Sequence, residues 1–186
     1  QALYDAFKER HYAIMRDLFE PGDEVFTVIN DTFVEGEWML EEKPSDNYDY
    51  IYDQIVCMGE LVCSKIVAAY LNKVNLKTTW LDARDVVATD NTYREGWVIW
   101  EKTQANAQKI VPPLFEQGNF VITQGFIGST SENFTTTLGR EGSDYSASIF
   151  SFCLNAESMS IWKDVAGVLN ADPRLFENTI KLDRLS

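Results

Sequence analysis

The segment from residue 135 to residue 144 contains the residue types best suited to chemistry in this chain. It reads TTTLGREGSD, three threonines followed by two glycines that flank an arginine and a glutamate. Because Gly139 and Gly142 lack a Cβ atom, the backbone there can bring its N–H groups close to a charged ligand. Arg140 adds a planar fork of donors that matches a carboxylate or a phosphate. The pattern predicts an anion-binding loop.

The element after this loop strengthens that prediction. A helix is expected from Tyr145 to Leu154, and Ser143 or Asp144 is suited to cap its first turn. The N–H groups and the dipole at a helix start favour negative charge. The threonines before Gly139 are left with two interpretations, phosphate contacts or β-branched strand residues.

Helical spacing of apolar residues predicts three further helices. The first is amphipathic, ends before Pro21-Gly22 and buries one stripe, made of Leu3, Phe7, His11, Ile14 and Leu18. His11 is interpreted as a packed, hydrogen-bonded residue of that stripe. A buried helix is expected over residues 52–71, after a polar surface segment at 41–50. Another spans 102–110 and stops at Pro112-Pro113.

Strands are predicted at residues 77–81, 120–122 and 160–162. The second is short and apolar, as expected of a central strand covered on both faces. Helices alternating with strands predict a layered α/β domain with a largely parallel sheet, in which the loops after the strands meet at one edge. The loops at 124–129 and 163–174 would then join the anion loop.

Composition excludes several classes of protein. A net charge of −13 with scattered lysines and arginines disfavours nucleic acids and anionic membranes as partners. No segment is judged to reach the roughly 20 apolar residues that span a bilayer. Three cysteines without metal-site spacing fit a reduced, cytoplasmic setting. The start at Gln1, without a methionine, suggests an excerpt of a longer protein.

Six segments, taken in order, resemble the aspartate kinases of the amino-acid kinase superfamily. They are Gly59-Glu60-Leu61, Trp80-Leu81-Asp82-Ala83-Arg84, VITQGFIG at 121–128, TTTLGREGSDY at 135–145, Ile161 to Val168, and Asp172-Pro173-Arg174. The resemblance covers the chain from residue 52 onward. Nucleotide signatures of other families, such as the P-loop and the protein-kinase motifs, do not occur in the sequence.

The resemblance implies a fold and a reaction. The fold is a three-layer αβα sandwich with a mainly parallel central sheet, and residues 1–186 form one catalytic-domain fragment. The reaction uses ATP and Mg²⁺ to phosphorylate the side-chain carboxylate of L-aspartate, which opens lysine, threonine and methionine synthesis. Such a transfer needs positive charge and aligned donors but no covalent nucleophile.

The resemblance also implies roles at the acceptor side. Arg140 would grip a carboxylate of aspartate, Glu60 would accept its α-ammonium group, and Asp144 would orient a lysine or the metal-bound phosphate. The implied substrate residues are Glu60, Arg140, Glu141, Gly142 and Ser143. Taken alone, Arg140 equally suits a solvated loop, Glu60 an exposed helix face and Asp144 a helix cap.

On the nucleotide side the resemblance implies Lys163, Asp164, Leu169 and Arg174, and it assigns no metal ligand. Arg174 would meet phosphate, although Asp172-Pro173-Arg174 by itself also reads as a turn. Lys163 and Leu169 stand where many members have threonine and tyrosine.

Other parts of the family pattern are missing from this sequence. They are the opening Lys-Phe-Gly-Gly segment, whose lysine bridges the phosphates, and the C-terminal ACT domains. We therefore expect little activity from this chain alone. The resemblance also implies a homodimer for the full-length protein. The alternatives are another amino-acid kinase, acting on glutamate, acetylglutamate or a nucleoside monophosphate, and a noncatalytic domain that binds ligands with the same fold.

Overall fold

The computed structural model describes residues 2–41, 46–118, 120–164 and 167–184. These residues form a mixed α/β structure. Its helices are α1 (Ala2–Leu18), α2 (Val25–Glu41), α3 (Tyr48–Lys73), α4 (Trp100–Gln117) and α5 (Gly142–Cys153). Its strands are β1 (Thr78–Trp80), β2 (Phe120–Ile122), β3 (Ile127–Ser129) and β4 (Thr135–Thr137).

Helices α1 and α2 pack with α3 around one apolar core that includes Met15 and Phe33. The predicted stripe of α1 is partly wrong, because Leu3 is 89% exposed while Tyr4 and Met15 are buried. The Tyr4 hydroxyl donates to the Phe33 carbonyl over 2.8 Å, which fixes α1 against α2. His11 packs edge-on against Phe7 and its Nδ1 lies 2.8 Å from the Phe7 carbonyl oxygen, as the packed interpretation expected.

Helix α3 is the element to which the rest of the chain attaches. Its start is capped by Asn47, whose side chain accepts from the Tyr50 N–H over 3.1 Å. By length and composition alone α3 could cross a membrane, so the prediction that no segment qualifies is wrong. Within the fold, Val62 joins the α1–α2 core and Leu61 packs with Ile127 on the opposite side. Packing on two sides accounts for its apolar composition.

The strands form two small sheets rather than one large parallel sheet within the described residues. Strands β1 and β2 are parallel, with Thr78 opposite Phe120, and β3 and β4 are antiparallel. The expectation that β2 is covered on both faces is wrong, because the Phe120 side chain is exposed. Residues 160–162 form no strand, and Trp162 is 92% exposed.

Helix α4 continues through Pro112 and Pro113, contrary to the expectation that it stops at Ile110. A proline inside a helix lacks an N–H donor and costs about 3 kcal/mol. Val111 is buried in the core that α4 shares with α5, and the partly buried Leu114 packs on it. This packing offsets the cost and keeps the last turn helical.

Candidate functional site

The turn between β4 and α5 brings the predicted anion loop to a helix start. Gly139 and Glu141 have positive φ angles of 74° and 58°, and α5 begins at Gly142, three residues before the predicted start. The capping position is Glu141, and no side chain caps the helix, so the expectation of a Ser143 or Asp144 cap is wrong. The Gly142 N–H donates to the Gly139 carbonyl over 3.2 Å, so the N–H groups of Ser143 and Asp144 are the ones open to an anion.

The loop before β3 packs so closely on this helix start that only glycine fits at two positions. A Cβ atom on Gly125 would lie 2.9 Å from the Ser143 Cα, and one on Gly142 would lie 2.6 Å from the Phe126 ring. Ser146 completes the contact, because its Oγ accepts from the Phe126 N–H over 2.8 Å. The backbone of residues 125–126 thus forms one wall of the α5 start.

A lysine lies over this helix start. Lys163 Nζ is 2.8 Å from an Asp144 carboxylate oxygen and 3.8 Å from one of Glu141. The hydrogen bond that Lys163 donates to the Asp144 carboxylate raises the pKa of Lys163, so the amine stays charged at neutral pH. Asp164 follows on the same exposed segment. The site therefore pairs a cation with open N–H donors, the combination that binds phosphate.

Arg140 projects from the same turn into solvent. Its side chain is 95% exposed, and its Nε lies 4.0 Å from Glu141 Oε1. It lines a cleft of about 630 Å³ together with Phe126 and Thr137. It also borders a neighbouring cleft lined by Trp97 and other aromatic residues. Arg140 thus presents exposed donors at the rim of two clefts, and its one ion pair with a described residue is the long contact with Glu141.

Glu60 lies on the face of α3 that meets the sheets. Asp53, Cys57, Glu60 and Ser64 recur at helical spacing, and Ser64 Oγ accepts from Gln124 Nε2 over 2.8 Å. The Glu60 side chain is half-buried and forms no ion pair with any residue that the structure describes. Burial raises the pKa of its carboxyl group. A buried carboxylate with no partner is costly and is suited to receive an ammonium group.

The structure decides how the three threonines are used. Thr135, Thr136 and Thr137 form β4, and all three are buried. Their hydroxyls bond inside the protein, for example Thr136 Oγ1 with Thr89 Oγ1 at 2.6 Å. The strand interpretation is therefore the correct one.

Asp53 of α3, which the sequence did not single out, holds β4 in place. It is 0% exposed and accepts three hydrogen bonds of 2.8 Å, from the N–H groups of Arg94 and Thr137 and from the Thr137 hydroxyl. Gln54 adds two bonds to the Thr135 backbone. The turn that carries Arg140 is thus anchored to α3 through β4.

The last segment remains separate from this turn. Arg174 donates to both carboxylate oxygens of Asp172, with contacts of 2.8 and 3.2 Å, within a turn. Leu169 pairs with Lys181. In the described part of the chain, no ion pair or hydrogen bond joins residues 167–184 to the α5 start. Leu169 and Arg174 are therefore not brought to Lys163 by direct contacts.

Two carboxylates at the α5 start could serve a magnesium ion that is held mainly by phosphate oxygens. No three of the His, Cys, Asp and Glu side chains in the described ranges are grouped to hold a metal ion. Mg²⁺ in phosphotransfer sites needs only one or two carboxylates in addition to phosphate oxygens. Asp144 and Glu141, both at the α5 start, supply that chemistry.

The chain is similar to known proteins over nearly its whole length. The model of the amino acid kinase family matches residues 7–186. The chain is 32% identical over 187 residues to lysine-sensitive aspartokinase 3 of Escherichia coli, covering 98% of this chain and 40% of that protein. It is 34% identical over 185 residues to the chloroplastic bifunctional aspartokinase/homoserine dehydrogenase 1 of Arabidopsis thaliana, covering 96% and 20%.

A solved structure is similar over nearly the whole chain. It is E. coli aspartokinase III in complex with aspartate and ADP, with a TM-score of 0.88 and 29% identity over 97% of this chain and 40% of that one. The chain thus spans less than half the length of these relatives.

Proposed function

The chain belongs to the amino acid kinase family, and from this premise we propose that the protein containing it is an aspartate kinase. An oxygen of the aspartate side-chain carboxylate attacks the γ-phosphorus of ATP, the bond to the β-phosphate breaks, and ADP and 4-phospho-L-aspartate are formed. The observation that carries the proposal is the uncapped α5 start with Lys163 held over it by Asp144.

The α5 start is proposed as the place where the two anions meet. Lys163 and the open N–H groups near Ser143 offset the negative charge of carboxylate and phosphate, which otherwise repel each other. Asp144 keeps the Lys163 amine over the turn. Since this ion pair is largely exposed, exchanging a carboxylate partner for a phosphate oxygen costs little.

The acceptor is proposed to lie between Arg140 and Glu60. Arg140 binds a carboxylate of aspartate through its planar fork, and the exposure of its side chain leaves those donors available. Glu60 accepts the α-ammonium group, which supplies the cation that its half-buried carboxylate lacks. Glu141, Gly142 and Ser143 form the wall of the substrate site.

ATP is proposed to bind on the side of residues 163–174, through Lys163, Asp164, Leu169 and Arg174. ADP is bound in the similar E. coli structure, which supports a nucleotide ligand. Mg²⁺, when bound, would neutralise the phosphate oxygens, with Asp144 and Glu141 nearest to hold it.

Several features belong to the proposal for the complete protein. They are a three-layer αβα sandwich with one mainly parallel sheet, a single catalytic domain that contains residues 1–186, a homodimer and a cytoplasmic location. The similarity to the structure of E. coli aspartokinase III supports the fold, and the plant relative is chloroplastic.

The proposal is tested with the complete protein by trapping the acyl phosphate with hydroxylamine in the presence of aspartate, ATP and Mg²⁺. Arg140→Ala should lower kcat/KM for aspartate, and the decrease should correspond to a loss of about 2–4 kcal/mol of transition-state stabilisation. Arg10→Ala, on the exposed face of α1, is the matched control and should have no effect. Aspartate binding without any trapped product would identify a noncatalytic domain, and product from glutamate instead would identify another amino-acid kinase.

A further inference from the structure

Gln124, in the loop between β2 and β3, is an unusually buried side chain. It is 2% exposed, although loops mostly lie at the surface and glutamine is mostly exposed in folded proteins. The loop continues through Gly125 and Phe126, whose backbone forms one wall of the α5 start. A buried amide directly before that wall is well placed to hold it.

Both donors and the carbonyl oxygen of the Gln124 amide are paired. Its Nε2 donates to Ser64 Oγ over 2.8 Å and to the Leu81 carbonyl over 3.2 Å. Its Oε1 accepts from the Ala83 N–H over 2.8 Å. A buried polar group with all its partners fixes the segments that it joins. Here those segments are α3, the residue after β1 and the short turn that begins at Ala83.

Ser64 extends this network on the α3 side. Its Oγ also accepts from Trp80 Nε1 over 3.0 Å and donates to the Leu61 carbonyl over 3.1 Å. Ser64 lies four residues after Glu60, so the two share one face of the helix. The hydrogen bond from Gln124 therefore holds the part of α3 that carries Glu60.

The other end of the loop contacts the start of α5. The Phe126 N–H donates to Ser146 Oγ over 2.8 Å, and a Cβ atom on Gly125 would lie 2.9 Å from the Ser143 Cα. The Phe126 side chain also packs on the apolar cluster that contains Leu61 of α3. Residues 124–126 thus connect α3 to the α5 start.

The spacing between these two elements matters for a ligand that contacts both. Glu60 is proposed to bind the ammonium group of the acceptor, while the α5 start receives its reacting carboxylate. An acceptor bound at both places depends on their distance, and a displacement of about 1 Å in such a site can cost roughly 100-fold in rate. A ligand bound only at the α5 start does not depend on that distance.

We propose that Gln124 is a positioning residue that sets the distance between Glu60 and the α5 start, and so allows aspartate to bind at both. The inference rests on the proposed function, because Glu60 and the α5 start are the acceptor groups of that reaction. Gln124 acts through the elements that it joins, not by contact with the substrate.

The test compares aspartate with succinate, which is aspartate without its amino group and keeps both carboxylates. In the complete protein, calorimetry on Gln124→Met should show aspartate binding weakened about 10-fold, as expected when a charge-assisted pair is lost. Succinate binding should be unchanged, because succinate has no group that pairs with Glu60. Methionine is similar to glutamine in length, so the comparison removes the amide with little change in volume.

A double-mutant cycle tests whether Gln124 acts through Glu60. In the Glu60→Gln protein, the further change Gln124→Met should leave aspartate binding as it is. Ser64→Ala is a milder variant, because it leaves the Gln124 bonds to Leu81 and Ala83 in place. It should also weaken the binding of aspartate but not that of succinate.

Gln108→Met is the matched control, because Gln108 is exposed on α4 and its replacement should alter the binding of neither ligand. Four results would each overturn the inference: unchanged aspartate binding by Gln124→Met and Ser64→Ala, equal weakening for both ligands, a full effect of Gln124→Met in the Glu60→Gln protein, or no aspartate binding by the parent protein. A parent protein that binds aspartate but forms no acyl phosphate would instead count against the proposed function alone.

Discussion

Replacing Asp53 by asparagine tests whether one buried carboxylate anchors the acceptor side of the site. The carboxylate accepts hydrogen bonds from the Arg94 and Thr137 N–H groups and from the Thr137 hydroxyl, each 2.8 Å long. The amide oxygen of asparagine can keep the two N–H bonds, and its NH₂ group then faces the Thr137 hydroxyl, which has to turn so that it accepts instead of donating.

The expected cost follows from that exchange. All three bonds lose charge assistance of roughly 0.5 kcal/mol each, so Asp53→Asn should destabilise this region by about 1–2 kcal/mol. Native-state hydrogen exchange measures this loss at individual amides. The amides of Arg94 and Thr137 should exchange about 5- to 30-fold faster, at 1.4 kcal/mol per tenfold change.

The control for this measurement is Asp31→Asn, the same substitution on an exposed position of α2. It should leave both amides as protected as in the parent protein. Unchanged exchange at Arg94 and Thr137 in the Asp53 variant would refute the anchoring role. Faster exchange over the whole of α3 in both variants would show a general loss of stability instead.

Two further substitutions test the packing and the electrostatics of the site. Gly125→Ala places a Cβ atom 2.9 Å from the Ser143 Cα and should lower kcat/KM by displacing the α5 start. In the control Gly59→Ala the new Cβ meets nothing within 4 Å, and the change should stabilise α3 by about 0.5–1 kcal/mol. Equal activities of the two variants would contradict the packing argument. Because burial raises the pKa of Glu60 in the folded protein, its ionised form is disfavoured there, and its destabilising effect appears only above the pKa of the unfolded carboxyl, about 4.3. Glu60→Gln should therefore raise the thermal midpoint at pH 7 but not at low pH, while weakening aspartate binding; a midpoint difference that does not change with pH would argue against an unpaired carboxylate.

Local sequence patterns predicted the elements whose residue types or spacing are typical of one kind of secondary structure. Helix α3 has apolar residues at helical spacing, and β1 consists of residues that favour an extended chain; the structure confirms both. Helix α2 was not predicted, because Val25–Glu41 mixes acidic residues with its apolar ones and lacks an acidic first turn. The α1 stripe was misplaced because Tyr4 and Met15, not Leu3 and Ile14, face α2 and α3. The end of α4 was misplaced because tertiary packing of Val111 outweighs the helix-breaking effect of Pro112.

The candidate site was predictable only where its residues are close in the sequence. The motif at 135–144 identified the turn that starts α5, since closely spaced glycines and an arginine are typical of an anion-binding turn. Asp53 and Arg94 gave no such signal. Asp53 lies 41 residues from Arg94 and 84 residues from Thr137, so their hydrogen bonds are visible only in the folded protein.

The long chain separation around Asp53 also sets the order of folding and the limits of engineering. Neither the 92–95 loop nor β4 can complete its hydrogen bonds before α3 has docked, and contacts of such separation form late. Transplanting either segment into a different scaffold would leave its N–H donor, that of Arg94 or of Thr137, without an acceptor. A transplanted segment keeps its geometry only if α3, which supplies the Asp53 carboxylate, is transplanted with it.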